Sequence, residues 1–194
     1  MRMKQLSAAV VVMAMVFSGS AATIARAADS FKIDPIHGTV IYRINHLGVA
    51  NAYGRFDEPT GTVTIDKDDA SKSSFNFEVQ TTKVDTGNPK RDQHLQSPDF
   101  FNAKQFPTIT FKSTSVKSSG DNKYEVAGDL TLHGVTKPIT VTMEKTGEAQ
   151  TQMGYRSGWQ TEVDLKRSDY GMKGLQGVVG DDVHLIISFE AVKQ

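Results

Sequence analysis

Apolar residues recur at every second position through most of this chain, and that period restricts the fold more than any single motif. Val40, Tyr42 and Ile44 alternate with Ile41, Arg43 and Asn45. Val63 and Ile65 alternate with threonines, and Phe75, Phe77 and Val79 alternate with Asn76, Glu78 and Gln80. Ile109 and Phe111 make a shorter run, and Tyr124, Val126, Gly128, Leu130 and Leu132 form one long face. Ile139, Val141 and Met143, then Trp159, Thr161, Val163 and Leu165, then Val183, Leu185, Ile187 and Phe189 continue it. Side chains on a strand point alternately to opposite faces, so each run has one apolar and one polar face. That is the pattern of antiparallel sheet wetted on one side. No segment carries a sustained helical period.

Turn chemistry separates the runs at Glu58-Pro59-Thr60-Gly61, Lys67-Asp68-Asp69, Ser118-Ser119-Gly120-Asp121-Asn122, His133-Gly134 and Gly180-Asp181-Asp182. A short helical insert is predicted at 88–102. Pro89 suits a first helical turn, Pro98 ends that piece, and Asp99 is placed to cap a second turn holding Phe100 and Phe101. The chain therefore reads as all-β, a sandwich or a barrel. Long faces favour the barrel, because closure removes the strand edges that invite aggregation. Gly128 marks a bend or a close backbone approach on its face.

Residues 1–27 read as a cleaved signal peptide. Arg2 and Lys4 are followed by an apolar run over 6–17, and Ala25-Arg26-Ala27 is a small-x-small cleavage site. The run is shorter than the ~20 residues that span a bilayer. Residues 28–194 are then one domain, in the periplasm. The whole chain carries 22 basic and 22 acidic residues; without Arg2, Lys4 and Arg26 the balance is 19 to 22, a net charge of −3. That weighs against nucleic acid as a partner and against tight adhesion to anionic lipid. The chain has no cysteine, which removes thiol nucleophiles and thiolate metal sites.

The chemistry-bearing residues are sparse. The five histidines, at 37, 46, 94, 133 and 184, show no metal-binding spacing. Serine, histidine and aspartate are present, but no Gly-x-Ser-x-Gly elbow lies beyond the signal. A hydrolase, a metal protein and a solid-cored interaction module stay open as alternatives. Arg91 and His94, three apart on the predicted helix, are candidates for holding a polar head group. Equally, Arg91 can brace the insert by pairing with Asp92, Asp99 or Asp169. Asn45 and His46 follow a strand and sit at a barrel mouth or stabilise a turn.

Several segments, taken in order, resemble one family. They are Asp34-Pro35-Ile36-His37, Asn45-His46-Leu47-Gly48, Gly54-Arg55-Phe56, the stretch 91–102, Phe106-Pro107-Thr108-Ile109-Thr110-Phe111, the stretch 128–138, Arg167-Ser168-Asp169-Tyr170-Gly171-Met172 and Val179-Gly180-Asp181-Asp182-Val183. Together they are similar to the YceI-like family of secreted bacterial proteins. The departures are Gly38, where serine is frequent, and Tyr170, where phenylalanine is frequent. The resemblance implies an elongated, lipocalin-like, up-and-down barrel of about eight strands. It also implies a non-enzymatic carrier, commonly dimeric, without stable membrane insertion and without a cofactor. Its ligand would be an isoprenoid lipid, a quinone or a fatty-acid-like amphiphile. The bore would be lined by Tyr42, Ile44, Phe75, Phe77, Phe111, Val126, Leu130, Val141, Leu185 and Ile187. The patterns alone leave a filled and a hollow interior equally open; only the resemblance implies a hollow one.

Overall fold

The computed structural model describes residues 27–194; residues 1–26, which carry the expected export signal, lie outside them. Ten strands and one helix follow in order: β1 Asp29–His46, β2 Ala50–Asp57, β3 Thr60–Ile65, β4 Ser74–Gln80, β5 Val84–Asp85, α1 Pro89–Leu95, β6 Thr108–Gly120, β7 Lys123–Leu132, β8 Val135–Thr151, β9 Gly154–Lys166 and β10 Val179–Lys193. All ladders between these strands are antiparallel, and β10 pairs back onto β1. The sheet is thus a closed, up-and-down barrel.

The barrel has eight staves because β2 and β3 share one of them and the two-residue β5 only extends the β4 side. β2 pairs with the second half of β1 and β3 with its first half. The Glu58-Pro59 step is therefore a kink inside one stave and not a hairpin, as its turn chemistry suggested. Glu58 has a φ of 57°, and Pro59 cannot donate to a ladder. β2 was invisible to the alternation because its inward residues include Ala52 and Gly54. Gly54 is required: a Cβ there would collide with the Tyr42 ring of the paired strand.

Gly180-Asp181-Asp182 is likewise not a turn but the start of β10. The polar groups are answered sideways. Asp181 accepts from Ser168 N–H and Oγ at 2.9 and 2.8 Å, and Asp182 accepts from Lys166 Nζ at 2.6 Å. The predicted turn at His133-Gly134 is present, with φ of 52° and 75° between β7 and β8. That is the left-handed pair a two-residue hairpin needs. Gly128 permits a close approach to Phe111, opposite a register shift between Ser113 and Ser115.

The base of the barrel is packed solid. Trp159, Val126, Val116 and Val63 are 1% exposed or less, and the Trp159 ring meets Phe75 edge-on at 5.2 Å. At the other end α1 lies across the mouth. Asn88 caps it, accepting from Lys90 N–H and Arg91 N–H, and Pro89 occupies the first turn. The next turn is organised by Ser97, whose carbonyl accepts from Phe100 N–H at 3.1 Å. Asp99 does not cap it, because its carboxylate lies 3.0 Å from His94 Nε2.

Candidate ligand-binding cavity

Above the packed base the barrel is hollow. A cavity of about 490 Å³ runs from Ile33, Val63, Met143 and Phe189 up to His46, Arg91, His94 and Val179. The burial of the wall residues agrees. Ile44, Phe77, Phe111, Ile139, Val163, Leu185 and Ile187 occupy inward positions yet are only partly buried. In a filled barrel such positions pack to the density of an organic crystal.

Of the ten residues expected to line a bore, Tyr42, Ile44, Phe75, Phe77, Phe111, Leu130, Val141, Leu185 and Ile187 border this cavity. Val126 does not. It sits lower on its strand, fully enclosed in the cluster with Val116, Phe75 and Trp159. Strand parity told which face Val126 takes but not how high the solid base reaches.

His46, Arg91 and His94 reach the cavity at its mouth; Asn45 does not. The Asn45 side chain accepts from Gly48 N–H at 2.7 Å and borders a separate shallow recess beside Gly180. That hydrogen bond holds the β1–β2 turn. Arg91 donates through Nε to Thr86 Oγ1 and through Nη2 to the Thr86 carbonyl, both at 2.7 Å. The Thr86 hydroxyl in turn donates to Asp92 Oδ1 at 2.5 Å. The bracing expected between Arg91 and a carboxylate therefore passes through Thr86. Arg91 bonds no carboxylate directly among the described residues, and its Nη1 stays available.

Tyr42 adds a polar group that its place in the lining series concealed. Its ring is buried, and burial pushes the phenol up to about 12, so it remains a neutral donor. Its hydroxyl has no hydrogen-bond partner among the described residues.

Sequence reasoning missed the segment over 171–178 that closes one side of the mouth. It is folded around Arg167, which is 4% exposed. Arg167 donates Nε to Gly180 O at 2.7 Å, Nη1 to Met172 O at 3.2 Å and Gly174 O at 2.7 Å, and Nη2 to Val179 O at 3.0 Å. Burial lowers its pKa, and the nearby Asp181 charge opposes that. The signal was present: Trp159, Thr161, Val163 and Leu165 point inward, and the next position of that parity is Arg167. A cation at an inward position has to bond backbone or a carboxylate.

On the outer wall, Asp34, His37 and Glu190 come within ligand distance of one another, which spacing did not reveal. Arg156 Nη1 donates to both Asp34 and Glu190 at 2.7 Å. The guanidinium already neutralises the carboxylates that a metal ion would use, and the set reads as an ionic strap.

The residues over 31–191 match the family model of the YceI-like domain. The chain belongs to the YceI-like family. It is 41% identical over 183 residues to the protein YceI of Escherichia coli O157:H7, covering 93% of each chain. The fold is shared with Burkholderia cenocepacia BcnA at 22% identity, with a TM-score of 0.75 over 82% of this chain and 99% of that one. It is shared too with a polyisoprenoid binding domain from Saccharophagus degradans, implicated in plant cell wall breakdown. That match has 16% identity and a TM-score of 0.68, over 84% of this chain and 98% of that one. The barrel architecture of this YceI-like chain is thus held in common at low sequence identity.

Proposed function

We propose that this protein is a non-enzymatic periplasmic carrier of a polyisoprenoid or similar long-chain amphiphile, exported by a cleaved signal over 1–27. The observation that carries the proposal is the oily cavity with Arg91 and His94 among its lining at the mouth. A hydrocarbon tail entering the cavity gains ~0.8 kcal/mol for each methylene taken from water. A bilayer offers the same tail nearly the same gain, so exchange is close to balanced. That suits a protein that loads and unloads.

In this reading the tail lies along Tyr42, Ile44, Phe77, Phe111, Leu130, Leu185 and Ile187. The head group meets Arg91, His94, His46 and the Tyr42 hydroxyl. Arg91 offers a planar fork suited to phosphate, and a quinone carbonyl would accept from Tyr42. The polyisoprenoid bound by the Saccharophagus degradans domain supports the choice of ligand class. The hydrolase alternative has less behind it: among the described residues no serine hydroxyl bonds a histidine ring.

Detergent-free isolation followed by native mass spectrometry tests the proposal. The expected spectrum shows the polypeptide plus an organic-extractable lipid, and its subunit mass tests the homodimer. A spectrum of bare polypeptide, with no uptake of added polyprenol, would overturn the carrier.

A further inference from the structure

Large apolar side chains are unevenly distributed over the outside of the barrel. Of the eight that are exposed among the described residues, five lie at the mouth: Leu47, Val49, Tyr53, Leu175 and Val178. Singly exposed apolar residues need no explanation, but a cluster around a cavity opening does. Leu47 N–H donates to the Val178 carbonyl at 2.7 Å, so the β1–β2 turn and the 175–178 loop form one rim.

Two of these leucines stand where the backbone disfavours them. Leu47 and Gly48 have φ of 56° and 69°, the left-handed pair of a tight hairpin turn in which Asn-Gly is preferred. Leu175 has a φ of 50°. A leucine at positive φ is strained, and at 56% and 47% exposure neither side chain is repaid by burial within the barrel. Leu175 still borders the cavity, whereas Leu47 does not, so it is at Leu47 that the fold gains nothing from leucine.

Two rim acids are neutralised by cations, Asp85 by Arg55 and Asp182 by Lys166, while Asp92, Asp99 and Asp181 are held by Thr86, His94 and Ser168 and turned into the protein's own hydrogen bonds. Lys90 and Lys173 are exposed and make no side-chain hydrogen bond or ion pair among the described residues. Apolar tips flanked by free ammonium groups complement an anionic lipid surface. The outer backbone edge of β2 over 50–54 has no strand partner among the described residues. Unsatisfied backbone does not enter hydrocarbon, so contact must stay shallow.

We propose that this rim docks on the surface of an anionic phospholipid bilayer, with the cavity mouth against the headgroups. The amphiphile then passes between bilayer and barrel without crossing water. The purpose of the docking rests on the carrier reading; the surface chemistry does not. The net charge of −3 keeps the contact transient, while the local rim supplies the attraction.

Flotation of the protein lacking residues 1–27 with phosphatidylcholine vesicles, with and without phosphatidylglycerol, tests this. Binding is expected only with phosphatidylglycerol and should weaken with salt. Leu47→Asn combined with Val49→Ser should lower vesicle partition by about tenfold or more. Asparagine suits the left-handed turn, so folding is kept, and uptake of a short soluble prenol from solution should be unchanged. Lys90→Glu with Lys173→Glu should abolish the phosphatidylglycerol preference.

Equal flotation on both vesicle types, or unaltered flotation of both double variants, overturns the docking face. So does a rim variant whose sedimenting mass halves while its flotation stays intact, because the rim then serves a second copy. Rim-dependent flotation without any prenol binding removes the carrier reading and leaves the docking face standing. Prenol binding without flotation does the reverse.

Discussion

Arg156 donates through Nη1 to Asp34 at 2.7 Å across 122 residues of sequence. The contact straps the seam where the last strand closes on the first. There β1 bulges between Ile33 and Gly38 while β10 advances from Ala191 to Phe189. The strap spans β9, β10 and β1, since Arg156 also holds Glu190 at 2.7 Å. It compensates the ladder bonds that the bulge removes.

Acid stability should register this strap. Hydrogen bonds from His37 and Arg156 hold the Asp34 carboxyl well below the usual carboxylate range. A carboxylate depressed in the folded state stabilises above its unfolded pKa, and that contribution is lost as pH falls through the folded one. Asp34→Asn should therefore lower the melting temperature at neutral pH. The gap to wild type should close as the pH drops below about 4. Thermal melts of both proteins across the acid range check this, and a constant gap would contradict it.

Tyr42 gives the opposite limb. Its phenol is raised to about 12 by burial, so above about pH 10 the unfolded chain ionises first. Stability should fall by roughly 1.4 kcal/mol per pH unit between these values. Tyr42→Phe should remove that slope, as read by denaturant unfolding at alkaline pH.

Blocking the bore should separate binding from folding. Leu185→Trp places a larger ring into open space, where the usual overpacking cost of about 1–3 kcal/mol has room to relax. The variant should melt near wild type yet bind polyprenol at least about tenfold more weakly. Fluorescent-probe displacement measures the second and calorimetry the first. Unchanged affinity would mean that the tail lies elsewhere.

Removing the Arg167 guanidinium should open the mouth. Arg167→Met strands the carbonyls of Met172, Gly174, Val179 and Gly180, at a cost of about 3 kcal/mol or more. Hydrogen exchange over 171–180 should rise well beyond that of β7 and β8. Uniform protection would show the loop to be held by other contacts.

The amphiphile's head group should be sensed through Arg91. Arg91→Ala should weaken a prenyl phosphate by about tenfold while leaving an uncharged prenol little changed. Equilibrium binding of the two ligands to both proteins decides it.

Much of the fold was legible because a strand has an exact side-chain period. Each run from Tyr42 to Phe189 announced its inward face, and nine of ten expected lining residues do border the cavity. Parity says nothing about height. It therefore placed Val126, deep in the solid base, beside Leu130 at the cavity wall. β2 escaped because its inward Ala52 and Gly54 carry too little apolar surface to mark a period. Asn45 and Arg91 were read as polar groups near a mouth, but the partners they chose, Gly48 and Thr86, depend on turn geometry at atomic scale.

Alternation, turn residues and Pro89 by themselves determined an antiparallel all-β chain with a helical insert, since these are local effects of backbone sterics and burial. Whether the barrel's inward side chains meet in the middle was decided only by its closure. Its circumference is set by eight staves and their stagger, and side chains from opposite walls fill the base but fall short of one another above it. The same closure gathered Leu47 and Val178, and Arg156 and Asp34, from distant parts of the chain. No local pattern encodes those meetings.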